Sequence, residues 1–95
     1  MKGYVVCVYK SISSEEKLKE YAIKAKVAVE KYKGKFLIRG GKSTTNEGDK
    51  SPRTVVIEFS SYDEANLFYK SKEYQDAHEI LKGHAIRHHQ TIEGA

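Results

Sequence analysis

Lys35-Phe36-Leu37-Ile38-Arg39-Gly40-Gly41 and Arg53-Thr54-Val55-Val56-Ile57-Glu58-Phe59 read as two antiparallel strands, placed by this reading at the centre of a sheet. Successive side chains on a strand point to opposite faces. Strict alternation puts Phe36 and Ile38 on one face with Leu37 and Arg39 on the other, and sets Val55, Ile57 and Phe59 against Val56 and Glu58. One face is wholly apolar and calls for helices packed on it. The other mixes Leu, Val, Arg and Glu, too apolar for free solvent and too charged for an ordinary core, so it calls for a partner.

Outward from this pair the chain alternates strand and helix signals. Tyr4-Val5-Val6-Cys7-Val8-Tyr9 is β-branched or aromatic on both faces and reads as a strand buried on two sides. Ser13 to Glu16 supplies a capping box, with Ser13 as the N-cap, opening a helix with apolar residues at Leu18, Tyr21, Ala22, Ala25, Ala28, Val29 and Tyr32. Gly34 is the expected residue just beyond that helix, which should stop near Lys33. The strand that follows is expected to run past Gly40-Gly41 into residues 42–45, and 46–52, with the only proline, make the turn. Ser61 and Glu64 repeat the capping box ahead of Ala65, Phe68 and Tyr69; Ser71 caps again, so a break is expected there, and Gly83 stops the segment from Glu73 to Lys82. His84 to Ile92 has the length and chemistry of a last strand. The order β-α-β-β-α-β defines an α+β, ferredoxin-like domain over residues 1–95, with both helices on one face of a four-stranded antiparallel sheet.

Length and composition narrow the function classes. Ninety-five residues allow one core and no second domain. The net charge of +4 is compatible with anionic partners without requiring them, because the helix lysines alternate with Glu15, Glu16, Glu20 and Glu30 and read as a solvated face. A single cysteine excludes an internal disulfide and points to a reducing, cytoplasmic setting; no segment has the apolar length of a membrane span or a signal peptide. The βαββαβ order also occurs in RNA-recognition domains, which stack bases on aromatic residues of the central strands. Here the equivalent positions hold Val56 and Glu58, so nucleic acid is not an expected partner.

Phe36 to Gly41, Glu47-Gly48-Asp49, Val55 to Phe59, Ala65 with Phe68-Tyr69, Ser71 and Glu73-Tyr74-Gln75 resemble the DUF1330 family, across Tyr4 to Gly94. Lys50 departs from the pattern, standing where an aromatic often follows the Gly-Asp pair. The resemblance implies a homodimer in which two such sheets pack face to face as a dimeric α/β barrel, and it agrees with the demand of the mixed face for a partner. It implies no reaction: the family has no generally established biochemical function, and a fold shared with monooxygenases, isomerases and heme proteins does not supply one.

The chemistry-bearing residues leave two readings open. Four histidines invite a metal, but His88 and His89 point to opposite faces, and His84 and His88 stand about 13 Å apart on a strand, so no metal and no cofactor is expected. Cys7 lies mid-strand and reads as buried rather than nucleophilic. Arg39 and Glu58 fall on the mixed face of adjacent strands and form either an interface salt bridge or a pocket in which Arg39 holds an anion while Glu58 or His88 moves protons. Gly40 and Gly41 permit close backbone approach there, and Tyr69 and Tyr74 are candidates to line a pocket between helices and sheet. The expected function is binding of a small anionic or carbonyl-bearing molecule, with cofactor-independent acid/base catalysis as one outcome and a non-catalytic dimeric binding or regulatory module as the alternative.

Overall fold

The computed structural model covers residues 1–95. Its elements run β1 (Gly3–Ile12), α1 (Glu15–Lys31), β2 (Lys35–Arg39), β3 (Thr54–Phe59), α2 (Tyr62–Lys70), α3 (Lys72–Leu81) and β4 (Ala85–Glu93). All three strand pairings are antiparallel and the sheet order is β2-β3-β1-β4. The pair that opens the sequence reading is therefore not central as a pair: β3 is interior, β2 is an edge, and β1 takes the second interior place. The chemistry of β1 explains this, since Val5, Cys7 and Tyr9 are buried beneath the helices while Tyr4, Val6 and Val8 stay half-buried on the open side. Only a strand apolar on both faces suits that position.

β2 also departs from strict alternation. Phe36 pairs with Ile57, Ile38 with Val56 and Arg39 with Val55, so Leu37 is an extra residue in a β-bulge. The bulge reverses the faces of everything after it. Phe36 and Arg39 share the helix-covered face, and Ile38 faces the open side. The strand stops at Arg39 rather than continuing into residues 42–45; Gly40 N–H donates to the Thr54 carbonyl at 2.8 Å, and residues 41–53 carry no regular element.

Helix ends follow their caps. Ser14, one residue later than expected, caps α1 by accepting from Lys17 N–H at 3.1 Å, while Ser13 N–H donates to the His84 carbonyl. At its other end Lys33 N–H donates to the Glu30 carbonyl and Gly34 N–H to the Val29 carbonyl, the paired bonds of a Schellman stop. Lys33, at φ 58°, is the left-handed residue, not Gly34. Gly34 answers a packing demand instead: a Cβ there would come within 2.7 Å of Phe59 Cε1. Ser61 caps α2, and Ser71 both ends α2 and caps α3, giving the expected break.

The core is a cluster of 16 buried residues between the sheet and the helices. Phe68 is its hub, fully buried with ring centroids 4.9 Å from Phe59 and 4.8 Å from Tyr74; burying such a side chain contributes about 2 to 3 kcal/mol. No helix is long and apolar enough to cross a membrane.

Candidate functional site

The sheet register gathers one kind of charge at one end of the helix-covered face. Arg87 on β4 pairs with Tyr9 on β1, and on the other side of Tyr9 its N–H donates to the Arg53 carbonyl at 2.9 Å. Arg53, Tyr9 and Arg87 thus form a row across the sheet. In the next row Arg39, Val55, Cys7 and His89 lie side by side on β2, β3, β1 and β4. All three arginines of the chain line one cleft between sheet and helices, where 13 of 17 lining residues are hydrophobic. The cleft measures about 480 Å³ out to its open mouth, but only about 40 Å³ of it admits the centre of a water, room for two or three molecules. It is narrow.

Arg87 is the centre of the site. Nη1 donates to Tyr21 Oη at 3.0 Å and lies 3.5 Å from Tyr9 Oη and 3.6 Å from Cys7 Sγ, while Nη2 donates to Tyr74 Oη at 3.1 Å. Its Cζ sits 5.4 and 5.1 Å from the ring centroids of Tyr9 and Tyr21, within cation–π range. No carboxylate is among its partners: the four ion pairs are all formed by lysines, and no Asp or Glu lines the cleft. Burial opposes the Arg87 charge, but Tyr21, Tyr74 and Cys7 outweigh it and hold its pKa above the ordinary arginine value.

The three tyrosines, the thiol and two histidines around Arg87 are shifted towards their neutral forms. Burial pushes Tyr9 up to about 12. Burial likewise raises Tyr21 and Tyr74, whose hydroxyls are 2.9 Å apart. It raises the Cys7 thiol too, against the pull of Arg87 and Arg53. His89, 3.5 Å from Tyr74 Oη through Nε2, is lowered to about 3 by burial and then by Arg87. Burial and Arg87 lower His78, which stacks on Tyr74. The cleft therefore presents positive charge on an otherwise neutral wall.

The residues singled out from sequence divide between the two faces of the sheet. Arg39 and Tyr74 line the cleft, with the Arg39 guanidinium 4.1 Å from the Phe36 ring centroid. Tyr69 stands beside them, its ring 5.3 Å from Tyr74 and 5.0 Å from His89. Gly40 has φ 69°, and a Cβ there would come within 2.2 Å of Arg53 Nη1; Gly41 has open space around it. Glu58 and His88 lie on the opposite, open face. Glu58 pairs in register with Lys35 and Tyr4 and accepts from Tyr4 Oη at 3.1 Å, and His88 is 2.6 Å from Gln90. The expected Arg39–Glu58 pair does not form, because the bulge at Leu37 turns Arg39 to the other side. Glu58 and His88 are also remote from each other: their β1 partners, Tyr4 and Val8, are four residues apart, about 13 Å. No three His, Cys, Asp or Glu side chains gather to hold a metal ion.

Arg53 and Arg87 were not singled out from the sequence. A signal for them exists in the choice of cation: beside three arginines the chain has 14 lysines, and no lysine lines the cleft.

The family described as "Domain of unknown function (DUF1330)" matches residues 2–95. This chain belongs to DUF1330. No curated protein matches it. Among solved structures, a protein of unknown function from Rhodopseudomonas palustris superposes with a TM-score of 0.77 at 10% identity, covering 99% of this chain and 82% of that one. A dimeric protein of unknown function with a ferredoxin-like fold from Bacteroides fragilis gives 0.59 at 19% identity, with 98% and 96% coverage. A candidate antibiotic biosynthesis monooxygenase from Caulobacter crescentus gives 0.64 at 9% identity, with 99% and 89% coverage. At these identities the likeness is one of fold, and it agrees with the ferredoxin-like sheet of this DUF1330 chain.

Proposed function

We propose that this DUF1330 protein is a homodimeric binding protein for small organic anions, one per subunit, held in the cleft between sheet and helices. The reading is carried by the segregation of charge: every arginine and no carboxylate lines the cleft. Arg87 is half-buried and its hydrogen bonds go to tyrosine hydroxyls, so no group of the cleft supplies the counter-charge that a bound anion would bring. Arginine suits the task because its planar fork pairs with carboxylate or phosphate oxygens and is less strongly hydrated than an ammonium group. The apolar lining adds that the anionic head belongs to an organic body.

Binding without chemistry is the better-supported form of this reading. Acid/base catalysis needs a group poised near the working pH, whereas the tyrosines and Cys7 are displaced upward and His89 and His78 downward.

The open face supports the dimer. Ile38, Ile86 and Ile92 are 48%, 63% and 46% exposed there, beside half-buried Val6, Val8 and Val56. The molecule is a plate of 31 × 30 × 17 Å, whose broad face can supply the roughly 800 Å² per partner of a stable interface. The Bacteroides fragilis protein of the same fold is dimeric.

Isothermal titration of the protein with valerate tests the anion site, with Arg87→Met as the comparison. Heat of binding in the wild type and a loss of about thirty-fold or more in Arg87→Met is expected, the range for truncating one member of a buried charged pair. Equal affinity in both proteins would remove Arg87 from the site and the reading with it.

A further inference from the structure

We infer that the cleft is built for acids with two separated anionic groups, one seated on Arg87 and the other on Arg53 with Arg39. The inference rests on the anion-binding reading and narrows its ligand class. Three observations carry it. First, Arg53 and Arg87 flank Tyr9 in one row, so their Cα atoms are two strand spacings apart, about 10 Å, and both side chains line the same cleft. A single carboxylate cannot span two guanidiniums anchored that far apart unless both lean together, whereas a short dicarboxylate can meet each one where it stands. Second, Arg53 Nε is buried and has no acceptor in the chain, although buried polar groups are satisfied in the great majority of cases. An acceptor supplied by a ligand completes it. Third, the Arg53 head packs directly against the backbone at Gly40, which adopts φ 69° and whose missing Cβ leaves the space that Arg53 Nη1 occupies.

Arg39 adds the same sign of charge from the next row and is held over the Phe36 ring rather than on an acid. Seated on Arg87 alone, a monoanion would leave Arg53 and Arg39 without a counter-charge. A dianion serves both arginines, its methylene chain running along the apolar lining towards the open mouth, since the enclosed part holds only two or three waters.

The test is isothermal titration of the full chain with glutarate and with valerate, which match in carbon number and differ in the second carboxylate. The wild type is expected to bind glutarate roughly ten- to hundred-fold more tightly, the worth of one further set of charge-assisted hydrogen bonds. Arg53→Gln should bring that ratio close to one by weakening glutarate far more than valerate, Arg53→Lys should keep only part of it, and Arg87→Met should weaken both acids. A wild-type ratio near one, a ratio that survives both Arg53→Gln and Arg39→Gln, or inorganic phosphate binding as tightly as glutarate would overturn the inference and leave the Arg87 site standing. If neither acid binds the wild type, the anion-binding reading itself falls.

Discussion

The two faces of the sheet are made from the same strands, yet they hold opposite kinds of chemistry. Along β4, Arg87 and His89 enter the helix-covered cleft while His88 and Gln90 look out on the open face, a difference of one residue at each step. On the cleft side a cation is surrounded by hydroxyls, a thiol and aromatic rings, with no acid near it. On the open side the acid, Glu58, is satisfied by a tyrosine, and the rest is largely Val and Ile. Water exclusion explains the contrast. In a narrow, largely apolar cleft an uncompensated charge interacts strongly with any anion that enters, whereas on an open face the same charge is screened. The cleft is thus suited to recognising a small molecule, and the open face to meeting another protein surface.

The two faces separate most visibly if the open face can be disabled without touching the cleft. Val56→Asp would place a carboxylate in the middle of that face, and in the proposed two-fold dimer the change enters twice. A loss of about 3 kcal/mol or more in dimerisation is expected from burying charges without partners. Sedimentation velocity should show the variant as monomer at concentrations where the wild type forms the proposed dimer, with valerate affinity retained. A dimer as tight as the wild type would mean that the copies meet elsewhere.

A second effect, about 1.4 kcal/mol per pH unit at most, comes from the cleft side. His89 has a folded pKa of about 3 against an ordinary 6.5, so on acidification the unfolded chain takes up this proton first. A depressed histidine contributes stability that is complete above about 6.5 and is lost as the pH falls towards 3. His78 is displaced the same way and adds to the slope. Urea unfolding at several pH values between 7 and 4 should therefore show a steeper loss of stability for the wild type than for His89→Gln. Parallel curves would mean that His89 is solvated in the folded protein, and that the cleft is less dry than its geometry indicates.

How far the sequence carried the reading follows from where its periodicities held. The alternation of β1, the helical spacing of α1 and the serine caps at residues 61 and 71 are local signals, and they gave the βαββαβ order and the face on which the helices pack. The site was legible only in part, since Arg39 and Tyr74 were named but Arg53 and Arg87 were not. Two non-local facts decide it: the bulge at Leu37, which no alternation rule detects in a five-residue strand, and the pairing of β1 with β4, which brings Arg87 opposite Tyr9. Strict alternation sets Arg39 on the same face as Glu58, whereas the fold places them on different sides.

Glu58 gives the smallest and sharpest test of that division. Glu58→Gln keeps the shape of the side chain and leaves an amide oxygen to accept from Tyr4 Oη, removing only the charge. The expected cost to the dimer is below about 1 kcal/mol, the difference between a charged and a neutral acceptor at a partly exposed bond. Affinity for valerate should stay within about two-fold, because Glu58 belongs to the open face, and a charge acting across a solvated sheet is strongly screened. The informative result would be a ten-fold change in valerate affinity with the dimer intact. That would mean the open face and the cleft are coupled through the sheet, through Tyr4 and the strand whose other face carries Cys7 and Tyr9, and the two faces would then have to be treated as one site.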